Sequence, residues 1–269
     1  MMKKADKDFL LDGMTWSFSR VSAYNTCSRM FYYTYLQPRP QTENAFAEWG
    51  SLCHSLFERY YKEEIPFYDL AHVYEEEYDD AVVSPFLSTK MEESYYNNGL
   101  DYFEHFEDEY SDYHVIGVEK QIDTKIGRFV FTGYIDLLLQ DDDGHYFVVD
   151  FKSKSKFKSE EEKARYAIQL YLYARWVQEQ YGEYPQWMEF NMFRARKRER
   201  VPFVLADLKA ADQWFLDTIQ RIYDDDVFDV TSTAGDFFCN NLCSLGYMCP
   251  YSKHYEGDES NADRQGVDP

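Results

Sequence analysis

Residues 131–154 read FTGYIDLLLQDDDGHYFVVDFKSK, which is two apolar runs joined by an acidic turn. Both runs are rich in β-favouring residues, and the Asp-Asp-Asp-Gly sequence at 141–144 is typical of a tight turn between strands. The stretch therefore predicts an antiparallel hairpin. Because side chains alternate along a strand, Asp150 and Lys152 are expected on one face, at the end of a core strand.

A second acid, Asp136, interrupts the first apolar run fourteen residues before Asp150. The hairpin would bring the two carboxylates together, and they would repel each other unless a cation lay between them. Oxygen ligands on a rigid sheet suit Mg²⁺ or Mn²⁺. Lys152 could then orient a water molecule or balance the charge of a phosphoryl transition state. For Asp150 and Lys152 alone, the alternative is an ordinary ion pair at a strand end.

Helical and strand patterns on both sides of the hairpin predict an α/β domain. No internal repeat or flexible linker interrupts the chain, so residues 1–255 are predicted as one domain, with a variable helical region over 65–111 and a disordered polar tail over 256–269. The further elements expected are two short helices within 16–36 begun by Ser17 or Ser19, a helix over 44–64, strands over 114–123, 127–140 and 145–154, a helix from Ser159 to Gly182 with a capping box to Glu162, a hairpin within 187–208, and a helix over 208–223.

The charge distribution limits which classes of molecule the protein is expected to bind. The 269 residues carry a formal net charge of −21, which argues against general nucleic-acid binding because phosphate contacts need a basic surface. Residues 152–200 are the exception, with twelve Lys and Arg against seven Asp and Glu. An acidic body could still guide a polyanion along this basic lane; the alternative is a pair of solvated charge runs. Neither a membrane-spanning run nor a signal-peptide core is present, so a cytoplasmic protein without a membrane partner is expected.

The pattern of Asp136 followed by Asp150-x-Lys152 resembles the signature of the PD-(D/E)XK nuclease superfamily, an acid on one strand and acid-x-Lys on the next. The resemblance implies a restriction-endonuclease-like core, in which helices flank a mixed central β-sheet. It also implies hydrolysis of phosphodiesters by a water molecule that a divalent cation activates.

Two further motifs resemble those of the RecB-like branch of this superfamily. Gly50 and His54, in GSLCHSLFE, resemble its G-x-x-x-H motif, whose histidine joins the metal site. Gln169 and Tyr173 share one helix face and resemble its Q-x-x-x-Y motif, which lies beside the DNA. Glu119 stands where relatives often carry an acid on the first strand.

The resemblance implies a role for each of these residues. The ligands of Mg²⁺ or Mn²⁺ would be His54, Asp136, Asp150 and the carbonyl oxygen of Phe151. Lys152 would position the attacking water and stabilise developing charge. The expected substrate contacts are Gln169, Tyr173, Lys154, Arg194 and Arg196.

Three of the five cysteines, Cys239, Cys243 and Cys249, lie within eleven residues. In an intracellular protein such clustering favours a metal site over disulfides. A fourth ligand must come from elsewhere. His254 would complete a local zinc site, whereas Cys27 would complete a four-cysteine iron–sulfur site from the other end of the chain.

The segment SFSRVSAYNTCSRMFYYTYL (17–36) resembles the N-terminal segment of iron–sulfur RecB-like nucleases, which include AddB-type subunits and CRISPR adaptation nucleases. In that group one N-terminal and three C-terminal cysteines hold a [4Fe–4S] cluster that joins the chain ends. The resemblance therefore implies a cluster on Cys27 and the 239–249 cysteines. Two departures are an extra residue in the first C-terminal spacing, C-x3-C, and Ser28 in place of proline. Cys53 is expected to be a packing residue.

Taken together, these features predict a metal-dependent deoxyribonuclease, with exonuclease action on single-stranded or end-processed DNA favoured over endonuclease action. No G-x-x-x-x-G-K-[ST] motif is present, so ATP-driven unwinding would need a helicase or recombination partner. A stand-alone phage or bacterial enzyme is the expected type. The alternatives are a catalytically inactive DNA-binding or scaffolding subunit and a hydrolase of small phosphoesters.

Overall fold

The computed structural model describes residues 2–230 and 235–255, so the predicted tail over 256–269 lies outside the described residues. Within these ranges five strands form one sheet in the order β1-β2-β3-β4-β5. The strands are β1 (His114–Ile126), β2 (Phe129–Gln140), β3 (Tyr146–Phe151), β4 (Trp187–Met192) and β5 (Lys197–Pro202). The α-helices are α1 (Lys4–Asp12), α2 (Phe18–Thr26), α3 (Ser28–Phe31), α4 (Ala45–Tyr61), α5 (Leu70–Ala81), α6 (Thr89–Glu104), α7 (Glu160–Tyr181), α8 (Leu205–Asp224) and α9 (Gly235–Asn241). Among these, no helix is both long and apolar enough to cross a membrane.

The predicted hairpin over 131–154 lies at the centre of the sheet. β1, β2 and β3 are antiparallel neighbours, with Leu137 of β2 paired to Val149 of β3. α7 then returns the chain to β4, which is parallel to β3, and β4 and β5 form the second predicted hairpin. The result is a mixed sheet flanked by helices, which is consistent with a restriction-endonuclease-like core.

Helices cover both faces of the sheet and create two apolar cores. On one face, α7 and α8 pack with the N-terminal helices around Trp16 and Phe131. On the other face, α4, α5 and α6 pack around Trp49. The adjacent residues Val148 and Val149 belong to different cores, as alternation along a strand requires. β3 is therefore buried on both sides, and its last residues emerge between the two helical layers.

The β1–β2 hairpin is longer than the rest of the sheet. β3 pairs with β2 only over residues 137–140, so the preceding half of β2 has one side without a strand. The main chain of Trp16 occupies part of that side. Its main-chain N–H donates to the carbonyl of Val130 at 2.9 Å, and its carbonyl accepts the main-chain N–H of Thr132 at 2.7 Å. The N-terminal segment is thereby fixed against the strand that carries Asp136.

Helix ends follow the predicted capping residues. Ser17 and Ser159 each accept a main-chain N–H of the first turn at 3.2 Å. Gly182 ends α7 with a φ of 88°, a left-handed conformation that glycine adopts without steric cost. The carboxylate of Glu162 binds Lys154 at 2.8 Å instead of closing the predicted capping box.

α1 is not indicated by the sequence pattern, and its Lys7 is 3% exposed. The Lys7 ammonium donates to the carbonyl oxygens of Tyr223 and Asp225, at 2.8 and 2.7 Å, and to the carboxylate of Asp226 at 2.7 Å. These acceptors lie at the C-terminal end of α8, where carbonyls without helical partners carry partial negative charge. A buried ammonium thus ties the first helix to α8.

Candidate active site

Two carboxylates meet between β2 and β3. Leu137 pairs with Val149, so their neighbours Asp136 and Asp150 come together across the ladder. The Asp136 carboxylate accepts the main-chain N–H of Phe151 at 2.7 Å. Burial, and then the charge of Asp150, raise the pKa of Asp136 well above its usual range. Asp136 and Asp150 lie close together, as expected, and their mutual repulsion costs free energy when both are ionised.

His54 reaches these acids from α4. Its Nδ1 lies 3.6 Å from the Asp136 carboxylate, and its ring meets the Phe151 ring edge-on, with the centroids 6.3 Å apart. Burial lowers the pKa of His54, so the ring is neutral at neutral pH and one nitrogen can serve as a metal ligand. Gly50, one turn earlier, faces Ser153: a Cβ there would lie 3.4 Å from Ser153 Oγ. The G-x-x-x-H spacing therefore places Gly50 and His54 on the face of α4 that contacts the end of β3.

Glu119 of β1 joins His54 and Asp136 in a group that is compact enough to hold a metal ion. One ligand atom each from Glu119, His54 and Asp136 lie within 4.8 Å of one another. Burial, followed by the carboxylates of Glu58 and Asp150, raises the pKa of Glu119. Its main chain has a φ of 46°, which is rare outside glycine and costs free energy within a strand. Strand β1 thus contributes an acid that the sequence indicated only through resemblance.

The Asp150 carboxylate is turned towards Lys152. Its Oδ2 lies 2.5 Å from Lys152 Nζ, and Asp150 is 1% exposed. Burial lowers the pKa of Lys152, but the charges of Asp150 and Asp136 raise it by more, so the net shift is upward. Lys152 is therefore an ammonium at neutral pH. The Asp150–Lys152 ion pair, which the sequence left open as the alternative interpretation, is present, and it lies within the acid cluster.

Gln169 and Tyr173 of α7 continue the line of polar contacts from Asp150 and Lys152. Gln169 Oε1 accepts a hydrogen bond from Lys152 Nζ at 3.3 Å, and Gln169 Nε2 donates to the Tyr173 hydroxyl at 2.7 Å. That hydroxyl lies beside the main chain of Tyr134. The Q-x-x-x-Y spacing therefore connects the lysine to the middle of β2, where the Tyr173 ring lies against Gly133.

The three cations expected to contact substrate are bonded within the protein. Lys154 binds Glu162 at 2.8 Å. Arg194 donates to the hydroxyl of Tyr95 at 2.6 Å and lies over the ring of that residue. Arg196 pairs with an acid of α6 at 2.9 Å. Two of the three are thus anchored to α6, away from Gln169 and Tyr173 on α7.

Most basic residues of the predicted lane over 152–200 are neutralised. Eight of the twelve form ion pairs with carboxylates: Lys152, Lys154, Lys163, Arg175, Arg196, Lys197, Arg198 and Arg200. Lys156, Lys158 and Arg165 are exposed, and they form no ion pair within the described parts of the chain. Free positive charge is therefore concentrated between the end of β3 and the first turns of α7.

The four cysteines expected to share a cluster converge from both ends of the chain. Cys27 lies between α2 and α3, and it lines one cavity with Cys243 and Cys249. Burial, and then the proximity of Cys27 and Cys249, raise the pKa of Cys239. Cys53 is fully buried within the core formed by α4. The thiol-lined cavity has the donor set of an iron–sulfur site.

His254, the alternative zinc ligand, has its Nε2 2.8 Å from the carbonyl oxygen of Asn240. In the described part of the chain, no three thiols lie within 4.8 Å of one another. The sulfur ligands of a single zinc ion stand about 3.8 Å apart. Within the described residues the thiols are therefore not drawn together as the ligands of one bound zinc ion would be.

The cysteine loop also holds the segment that leads into α4. The N–H of Thr42 donates to the carbonyl of Ser244 at 2.9 Å, and the hydroxyl of Tyr247 donates to the carbonyl of Pro40 at 2.8 Å. Because α4 begins at Ala45, the cysteine site is linked to the helix that carries the histidine.

A mixed sheet with acid and acid-x-Lys on adjacent strands, beside a helix-borne histidine, is the arrangement of a nuclease that uses a divalent cation. Comparison with protein families agrees: the chain matches the model of the PD-(D/E)XK nuclease superfamily over residues 15–253 and belongs to that superfamily. Members are generally nucleases that act on DNA and typically use Mg²⁺ or Mn²⁺, and the group of His54, Glu119 and Asp136 is a candidate site for such an ion. No curated protein matches the chain.

Proposed function

We propose that this protein is a deoxyribonuclease of the RecB-like branch and acts as an exonuclease on single-stranded or end-processed DNA. The observation that carries the proposal is the convergence of one ammonium and four potential ligands: His54, Glu119, Asp136, Asp150 and Lys152. Buried like charges cost free energy unless a cation neutralises them. The cluster therefore lowers the stability of the fold and is explained by a bound ion.

The residues that would hold one or two Mg²⁺ or Mn²⁺ ions are His54, Glu119, Asp136, Asp150 and the carbonyl of Phe151. Bound there, the cation would polarise the phosphoryl oxygen and lower the pKa of a coordinated water. Lys152 keeps its proton because two carboxylates raise its pKa. It therefore contributes positive charge to the transition state and does not act as a base.

Gln169 and Tyr173 would act on this reaction through Lys152. The Gln169 amide accepts from the ammonium and donates to the tyrosine hydroxyl, so it limits the positions that Lys152 Nζ can take. The free charges of Lys156, Lys158 and Arg165 lie in the segment between the end of β3 and the first turns of α7, and they would attract the phosphates of the substrate.

We assign the four converging cysteines to a [4Fe–4S] cluster with a structural role. The support is the thiol-lined cavity and the pair of hydrogen bonds between the cysteine loop and residues 40–42. A cluster here would fix the start of α4 and so the direction from which His54 approaches the sheet. Zinc on Cys239, Cys243, Cys249 and His254 is the competing assignment.

A catalytically inactive scaffolding subunit is the competing function. It has no use for a buried cluster of acids beside a lysine, whereas a nuclease needs both. A helicase or recombination partner would supply single strands, since the sequence has no nucleotide-binding loop of its own. A cytoplasmic site of action fits cysteines that are clustered without disulfides.

The test is a cleavage assay with anaerobically purified protein, Mg²⁺ or Mn²⁺, and DNA labelled at either end. Linear single strands should be shortened from an end, while a circular single strand should persist; Asp150→Asn is the inactive control. Cutting of the circle would replace exonuclease with endonuclease action. Binding without cleavage by the wild-type protein would favour the scaffolding subunit. A colourless zinc protein that cleaves would overturn the iron–sulfur assignment alone.

A further inference from the structure

Tyr134 is an exposed aromatic residue beside the candidate active site, and its side chain has no role in the proposed hydrolysis. It is 52% exposed and lies two residues before Asp136 on β2, which is about 7 Å along the strand. Its main chain lies beside the hydroxyl of Tyr173, where the line of hydrogen bonds from Lys152 through Gln169 ends. The backbone under the ring therefore borders the site.

Local sequence explains why this ring faces outward. Gly133 faces Tyr173, and Ile135 is fully buried in the same core as Tyr173. The residue between them must project from the opposite face of the strand. Its partner across the ladder, Gln121 of β1, is exposed as well. The exposed ring thus stands on a paired strand and not on a loose loop.

The hairpin face around Tyr134 is less acidic than the protein as a whole. Tyr134 pairs with Gln121, and the next outward pair is Thr132 with Asp123. Beyond them Lys125 offsets the charge of Asp123. In a chain with a net charge of −21, this nearly neutral face allows a phosphate backbone to approach without strong repulsion.

We infer that Tyr134 stacks on the nucleobase next to the scissile phosphate and that Gln121 bonds to the edge of the same base. The inference rests on the proposed nuclease function and deepens it by naming how the strand is held. Every base offers a π-face to an aromatic ring, so the contact is tolerant of sequence. A base that is stacked and paired in a duplex cannot offer that face. Tyr134 therefore selects unpaired bases at the position that is cut.

The test compares Tyr134→Ala, Tyr134→Leu and Tyr134→Phe in cleavage of a labelled single strand. Loss of one base-stacking contact should raise KM by about 5-fold to 100-fold in the Ala and Leu variants. The Phe variant, which keeps the aromatic face, should stay close to wild type. The Leu variant keeps the bulk of the side chain, so it separates stacking from packing. The matched control is Tyr68→Ala, since Tyr68 is 71% exposed and lies in the turn after α4.

A second substrate with one abasic position next to the cut completes the experiment. The wild type should lose affinity for it by the same factor that Tyr134→Ala causes, and the variant should lose nothing further. Additive losses, or wild-type KM values in the Ala and Leu variants, would overturn the stacking role while leaving the nuclease intact. A wild-type protein that neither binds nor cleaves DNA would overturn the proposed function together with this inference.

Discussion

Gly133 of β2 and the ring of Tyr173 of α7 are in direct contact: a Cβ atom at position 133 would lie 2.7 Å from Tyr173 Cε1. Only glycine leaves room for the ring at this distance. The Tyr173 hydroxyl binds Gln169, and Gln169 binds Lys152. The glycine of the Gly-Tyr-Ile-Asp sequence therefore determines, through two side chains of a neighbouring helix, where the lysine ammonium lies.

The Gly133→Ala variant should lower kcat on single-stranded DNA by about tenfold or more, since a misplaced group loses transition-state stabilisation. The added methyl group should also cost about 1–3 kcal/mol of unfolding free energy through overpacking. Gly13→Ala is the matched control, because the nearest atom to a Cβ there is 3.7 Å away. Steady-state cleavage and thermal melting give both quantities. An unchanged kcat in the Gly133 variant would disconnect Tyr173 from the lysine.

The Asp136→Asn variant should be more stable than the wild type in the absence of divalent cations. Burial and the charge of Asp150 raise the folded-state pKa of Asp136 above its unfolded value, so its ionisation opposes folding at neutral pH. That penalty disappears as the pH falls below the folded-state pKa. The amide oxygen can still accept the N–H of Phe151, so the gain should be about 1–3 kcal/mol.

Thermal melting with EDTA and with Mg²⁺ checks this expectation. The wild type should gain stability from Mg²⁺ because the ion binds only the folded state, and the Asn variant should gain much less. The wild-type gain should shrink as the pH is lowered, since protons then compete for the carboxylates. Equal Mg²⁺ responses in the two proteins would remove Asp136 from the metal site.

The Lys152→Ala variant should abolish cleavage and also destabilise the fold. Asp150 is 1% exposed, and removal of its ammonium partner leaves a buried carboxylate without compensation, at a cost of about 3 kcal/mol. The double variant Asp150→Asn with Lys152→Ala should recover stability without recovering activity. Denaturant unfolding and single-turnover cleavage measure the two effects. A stable, active single variant would exclude the lysine from the reaction.

The Cys27→Ser variant should lose bound iron and the visible absorption of the purified protein. Cys53→Ala should keep both, since Cys53 is buried in the core on the α4 side of the sheet. His254→Ala provides the opposing test, because it would lower the metal content only if zinc were held by the local site. Metal analysis of the three variants decides between the assignments: loss in the His254 variant with retention in the Cys27 variant would favour zinc.

Most elements other than α1, and the acid pair, could be predicted from sequence because they depend on local pattern. Alternation gave the strands, the acidic turn gave the hairpin register, and that register brings Asp136 to Asp150. Glu119 is different, because its approach to His54 depends on a left-handed backbone that no propensity indicates. Gly133 likewise has no distinctive pattern, and its role exists only where α7 crosses β2.

Charge was the property that sequence described least well. Counting residues showed an excess of lysine and arginine over 152–200, but several of their carboxylate partners lie outside that stretch. Arg175 Nε donates to Asp212 at 3.0 Å, and Arg196 binds Asp101 at 2.9 Å; both acids lie outside 152–200. A local count cannot include such pairs, so it overstates the free charge. The burial of the Lys7 ammonium could not be predicted either, because its acceptors are 216 and 218 positions away in sequence.

The bonds of Lys7 to α8 join residues 216 and 218 positions apart, and Thr42 bonds to Ser244 across 202 positions. Contacts of such long range form late in folding, because the intervening loop must close first. During synthesis on a ribosome, α1 emerges before α8 exists, so Lys7 has no acceptor at the end of α8 until that helix has been made. Until then the core that α8 covers with Phe215 and Ile219 stays exposed. Closure of this core thus waits for the synthesis of α8.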